Sequence, residues 1–88
     1  MKVKITKKDL KKAQAGIERG KFLSECCLIY QAAKRVGLPI VLVSYSFIKF
    51  KDRESFDLDE STRKITRANK KNWPQFVGQT IELPDLAD

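Results

Sequence analysis

The segment from Cys26 to Val43 constrains this chain most, because it reads as an apolar helix running almost directly into an apolar strand. Leu28, Ala32 and Val36, with Ile29 and Ala33, recur at three- and four-residue steps and give a broad apolar stripe over about Glu25–Val36. Ser24 is placed to cap this helix. Lys34 and Arg35 suit its negative end, and Gly37 followed by Pro39 stops it. Ile40-Val41-Leu42-Val43 comes next, strongly apolar and largely β-branched, which predicts a strand buried on both faces or nearly so. A chain of 88 residues buries about 60–65% of its unfolded surface, enough for one core. The helix must therefore sit on that strand's sheet, and residues 1–88 should form a single compact domain.

The flanking segments supply the other elements. Val3 and Ile5 alternate with Lys2 and Lys4 as a short amphipathic strand. Thr6-Lys7-Lys8-Asp9 is close to a capping box and opens a helix over about Lys7–Arg19. Leu10, Ala13 and Ile17 share its inner face, Gly16 weakens its last turn, and Gly20 stops it. Phe47–Phe50 reads as a strand joined to Ile40–Val43 by a turn near Ser44–Ser46, which lacks Gly and Asn. Asp52-Arg53-Glu54 is a stronger turn, and Ser55–Asp57 returns as a brief strand. A third helix is expected over about Asp59–Lys71, capped within Asp57–Glu60, with Ile65 and Ala68 inward. Asn72-Trp73-Pro74 ends it, because a residue before proline avoids helical geometry. Thr80–Leu83 alternates as a last strand, and residues 85–88 are expected to fray. The fold class is α+β: a small antiparallel sheet of three to five strands packed against about three helices, in the order β-α-α-β-β-(β)-α-β. The first and last strands either pair with each other or flank the hairpin.

The composition argues against most catalysis. The chain has no histidine, which removes Ser-His and Cys-His pairs, histidine acid–base chemistry and most zinc sites. The two cysteines, Cys26 and Cys27, are adjacent, a spacing that rarely suits a disulfide. No metal ligand set and no cofactor motif is apparent. Either the thiols are small core residues, the favoured reading, or one lies near a helix N-terminus where the dipole lowers its pKa. Asp52, Glu54, Asp57, Asp59 and Glu60 read as turn and cap acids. Without a disulfide framework, a signal peptide or a long apolar span, a cytoplasmic setting is expected, with no membrane partner.

Charge is what points to a role. Eighteen basic residues against eleven acidic give +7, concentrated in two places. Residues 1–21 hold eight cations against Asp9 and Glu18; Arg63, Lys64, Arg67, Lys70 and Lys71 form a second group without an acid. Such a field attracts nucleotides, nucleic acid or an acidic protein surface. On the third helix Arg63, Arg67 and Lys70 or Lys71 would share one face, and arginine's planar fork grips phosphate in two places. Trp73 either stacks on a base beside them or closes the core with Pro74 and Phe76. Lys8, Lys11 and Lys12, with Lys7, form a second patch on the first helix, a set of charges that also serves simply as a solvated face. Phe47, Phe50 and Phe56 are assigned to the core, while Tyr30 and Tyr45 could each offer a hydroxyl at a pocket rim.

Ser24-Glu25-Cys26-Cys27-Leu28-Ile29-Tyr30-Gln31-Ala32, with Ile5-Thr6 and Asp9-Leu10 before it, resembles a group of small phage- and prophage-encoded accessory proteins. The likeness covers about residues 3–84: an opening strand with "IT..DL", a Cys-led helix, a hairpin, a helix and a closing strand. Cys27 stands where that group usually has proline. The resemblance implies an accessory phage gene acting in the cytoplasm of the infected cell, and small proteins of that kind often block a host defence by binding. The leading expectation is a non-enzymatic binding protein for an anionic ligand, either a nucleotide signal or an acidic or nucleic-acid-bound protein surface, through Arg63, Arg67, Lys70, Lys71 and Trp73. A small basic nucleic-acid-binding module and a protein–protein adaptor are the alternatives. Nucleotide capture would favour a homo-oligomer, since so small a monomer has little room for a pocket of about 300 Å3 or more.

Overall fold

The computed structural model describes residues 1–86 and has the expected α+β order. Strand β1 (Lys2–Lys4) leads into α1 (Lys7–Glu18); a 3-10 turn (Leu23–Glu25) precedes α2 (Leu28–Arg35). Strands β2 (Ile40–Val43), β3 (Phe47–Phe50) and β4 (Phe56–Asp57) follow, then α3 (Glu60–Arg67), a second 3-10 segment (Lys70–Phe76) and β5 (Thr80–Glu82). The five strands divide into two antiparallel sheets, β1-β5 and β2-β3-β4. Pairing of the first and last strands places Val3 opposite Ile81, both buried.

The hub is α2, which packs against α1, α3, β1 and β2. Its Leu28, Ile29, Ala32 and Ala33 are fully enclosed. Burying Leu28 and Ile29 stabilises the fold by roughly 1.5–3 kcal/mol each relative to exposure. The core continues through Ile5, Ile48, Phe50, Leu58, Ile65 and Leu83. Phe47 and Phe56 are only half-buried.

Helix α1 begins as its sequence dictates. Thr6 Oγ1 accepts from the Asp9 N–H at 3.2 Å, and Asp9 Oδ2 accepts from the Thr6 N–H at 3.0 Å. Gly20 (φ +80°) ends it: its N–H donates to Ile17 O and the Lys21 N–H to Gly16 O. The inner face is rotated from the expected one. Asp9, Ala13 and Gly16 are buried, whereas Leu10 and Ile17 are only half-buried. Two tertiary contacts explain this. The guanidinium of Arg35 donates to both oxygens of Asp9 (3.1 and 3.3 Å) and to the carbonyl of Lys4 (2.7 Å), tying α1, α2 and β1 together. Cys26 packs directly on Gly16, so close that a Cβ at residue 16 would lie 2.6 Å from the Cβ of Cys26. Gly16 is therefore a site of close approach as well as a weak helix former.

Three other expectations need correction. Ser24 does not cap α2. It lies within the first 3-10 turn; Cys27 occupies the cap position, with no capping side-chain bond. Strand β2 is not buried on both faces. It is an outer strand of its sheet, with Val41 40% exposed and Ile40 and Leu42 half-buried. Helix α3 stops at Arg67, four residues early. Ala68 turns extended (φ −70°, ψ 145°), and Asn69 Oδ1 accepts from the Lys71 N–H to start a new segment that contains Pro74. Asparagine competes with the helix in this way because its side chain can satisfy a nearby backbone donor. At the C-terminus, Asp85 and Leu86 form no regular element, and Leu86 is half-buried against the core. The frayed tail expected over residues 85–88 lies in part on Ala87 and Asp88, outside the described residues.

The β2–β3 turn forms without turn-favouring residues because other elements hold it. Ser44 N–H donates to Phe47 O at 2.8 Å and Leu58 N–H to Ser46 O at 2.9 Å. From α3, Thr66 Oγ1 donates to Tyr45 O at 2.8 Å. The following turn matches its sequence, with Asp52 at φ +57°, a conformation Asp tolerates better than most residues.

Candidate binding cleft

The same fixed hairpin forms one side of a cleft of about 320 Å3. Leu42, Val43, Tyr45 and Phe47 line that side. Leu23 of the first 3-10 turn and Cys27 at the start of α2 line another, and Thr66, Ala68 and Trp73 close the third. Seven of the eleven lining residues are predominantly apolar; Ser24, Ser44, Tyr45 and Thr66 carry hydroxyls, and Trp73 adds an indole N–H. The Thr66 hydroxyl already bonds to the carbonyls of Tyr45 and Arg63, both at 2.8 Å. The cleft belongs to one chain, so a pocket of this size does not need a subunit interface. A more open depression of about 400 Å3 lies between Phe50, Phe56, Pro84 and Leu86.

The basic residues are distributed differently from the sequence reading. Arg63 and Arg67 lie one turn apart on α3, but the helix ends there, so Lys70 and Lys71 do not continue its face. Arg67, Lys70 and Lys71 are exposed and are borne by the stretch Thr66–Trp73, whose ends wall the cleft. Arg63 is half-buried, and its Nε is enclosed without a hydrogen-bond partner. It is thus the least available of the four, and its guanidinium also helps hold the Asp59 carboxyl below its usual range, after the larger effect of the Thr62 N–H. Trp73 is buried, 3% exposed; it closes the core and contributes to the cleft wall.

Lys7, Lys8, Lys11 and Lys12 are all exposed on α1, and among the described residues none has an ion-pair partner. No residue of α1 lines the cleft, so the structure does not merge the two basic groups at one site. Of the tyrosines, Tyr45 is 65% exposed at the cleft mouth, while Tyr30 is half-buried with Lys34 Nζ 6.0 Å from its ring centre.

The thiols are poor nucleophiles here. Burial pushes Cys27 up to about 11, against weaker lowering by the N–H groups of Tyr30 and Ile29. Burial also raises Cys26, with Lys21 pulling the other way. Both stay protonated at neutral pH, which suits core residues and not reactive ones. Among the described residues no cluster of His, Cys, Asp and Glu could hold a metal ion, and no helix is long and apolar enough to cross a membrane.

Charge and aromatic content did not reveal Leu23, Ser24, Ser44 or Thr66; of the two tyrosines singled out from the sequence, Tyr45 lines the cleft. One signal was available: Phe22-Leu23 is an apolar pair just past the Gly20 stop, outside any helical or strand periodicity. Both are exposed, at 76% and 52%. No known protein family matches this chain, and no curated protein or solved structure matches it either.

Proposed function

We propose that this chain is a non-enzymatic binding protein that holds an anionic partner at the cleft, using Arg67, Lys70 and Lys71 as the charged contacts. The carrying observation is the juxtaposition of these exposed cations with an apolar cleft on the same stretch of chain. Apolar surface supplies affinity on water release, and cations next in the chain to wall residues supply steering and selection. The non-enzymatic reading rests on the missing histidine and on two thiols that burial keeps protonated. The resemblance to phage accessory proteins supports placing this binding in the cytoplasm of an infected cell, where it would neutralise a host factor.

The test is a pull-down from bacterial lysate with wild type and the Arg67→Glu/Lys70→Glu/Lys71→Glu variant, each with and without nuclease. All three side chains are exposed, so the variant should keep its circular-dichroism spectrum and melting curve. Wild type should retain an anionic partner in a salt-sensitive manner, and the variant should lose it. Equal retention by both proteins refutes the reading.

A second reading has its own support. The exposed lysines of α1 form an extended basic face suited to a phosphate backbone. Binding there should weaken with salt at a log–log slope near about −0.9 per neutralised phosphate. Lys8→Glu/Lys12→Glu should remove that binding while leaving the cleft unaffected.

A further inference from the structure

We infer that the cleft receives an acidic protein segment that inserts one aromatic or large aliphatic side chain; this deepens, and rests on, the binding reading above. The lining decides between ligand classes. A site that reads a nucleobase needs convergent polar groups for its edges, because burying them unpaired is costly. Beyond Thr66, whose hydroxyl is already engaged, this lining offers two serine hydroxyls, the Tyr45 hydroxyl and the Trp73 indole N–H, and no charged, amide or guanidinium group. At about 320 Å3 it is at the small end of pockets that enclose a whole ligand, roughly 300–1,000 Å3. An apolar anchor fits both the chemistry and the volume.

The mouth points to a protein. Leu23 and Tyr45 line the cleft while 52% and 65% exposed. Phe22, 76% exposed, precedes Leu23 in the chain. Exposed large apolar groups gathered around a pocket are the usual composition of a docking surface, with the pocket as its anchor point.

Charge selects the partner's sign. The stretches that bear the cleft walls, residues 23–27, 42–47 and 66–73, carry Arg67, Lys70 and Lys71 against a single acid, Glu25. A second copy of this chain would bring the same cations and a net +7 to the contact, so self-association is opposed. An acidic segment is attracted by the same groups.

The experiment is selection from a displayed random peptide library on the immobilised full-length protein at physiological salt. Enriched peptides should combine Asp or Glu with an aromatic or large aliphatic residue. A tryptophan-free peptide of that kind should change the fluorescence of Trp73, the only tryptophan in the chain. Its affinity should fall at least about tenfold when the apolar residue is replaced by Ala, and by a similar factor in Leu23→Ser or Tyr45→Ser. Both are exposed positions, so these variants should keep the native melting curve. Arg67→Glu/Lys70→Glu should weaken it as well. If no acidic, apolar-anchored peptide is enriched, or if these variants bind it unchanged, the inference is overturned. Should that happen while the triple charge reversal still abolishes capture from lysate, the broader binding reading survives with a nucleotide or nucleic acid as the partner. Failure of both assays removes both.

Discussion

Replacing Gly16 by Ala ought to stabilise an ordinary helix interior by roughly 1 kcal/mol, because Gly is the costlier residue there. In this protein the opposite is expected. The added Cβ would sit 2.6 Å from the Cβ of Cys26 and 3.2 Å from its Sγ, whereas carbon atoms rest about 3.5–4.0 Å apart. The Sγ can rotate away, but the Cys26 Cβ is fixed to the backbone, so α1 and the chain at Cys26 must separate by about 1 Å. Overpacking of this kind costs roughly 1–3 kcal/mol. Set against the helical gain, the net loss should be about 1 kcal/mol, or roughly 4–8 °C in Tm for a domain of this size. The measurement is urea and thermal unfolding by circular dichroism under reducing conditions, run as a cycle with Cys26→Gly. In that background the clash is gone, and Gly16→Ala should become stabilising. The cleft should respond too, since Cys26 lies between Cys27 and the 3-10 turn that places Leu23 and Ser24 in its wall. A Gly16→Ala protein more stable than wild type in the Cys26 background would show that the contact does not constrain the helix, and the reasoning would fail.

Two more outcomes follow from the buried polar groups. Arg35→Met should lower stability by about 2 kcal/mol in urea unfolding: Asp9 is 1% exposed and would lose its cation, while the one-third exposure of the arginine keeps the loss below that of a fully buried pair. Asp9→Asn/Arg35→Met should recover part of that loss. Cys27, raised to about 11 in the folded chain, gives up its proton more readily when unfolded, at about 9. Its contribution is therefore complete below pH 9 and lost as pH rises toward 11, a fall of about 2–3 kcal/mol that Cys27→Ala should flatten in a stability–pH series.

Elements governed by neighbours in sequence were legible without the fold. Thr6 and Asp9 cap α1 through backbone donors three residues away, and Gly20 ends the helix because it adopts positive φ without strain. The order of helices and strands follows from apolar spacing and from such caps. The basic character of α1 was equally plain, since Lys7, Lys8, Lys11 and Lys12 crowd its first two turns.

What depended on distant residues could not be read this way. Gly16 looked like a weak helix former until Cys26, ten residues on, was packed against it. Strand β2 looked doubly buried because its residues are uniformly apolar, but only sheet order determines which strand lies at an edge. The Arg63–Lys71 face assumed a helix that Asn69 interrupts, and burial withdrew Arg63 from the surface. The cleft itself joins residues 23–27, 42–47 and 66–73, which have no periodic relation in sequence. Local backbone chemistry acts over three or four residues and is therefore written in the sequence, whereas a cavity is the space left between elements and exists only once they are packed.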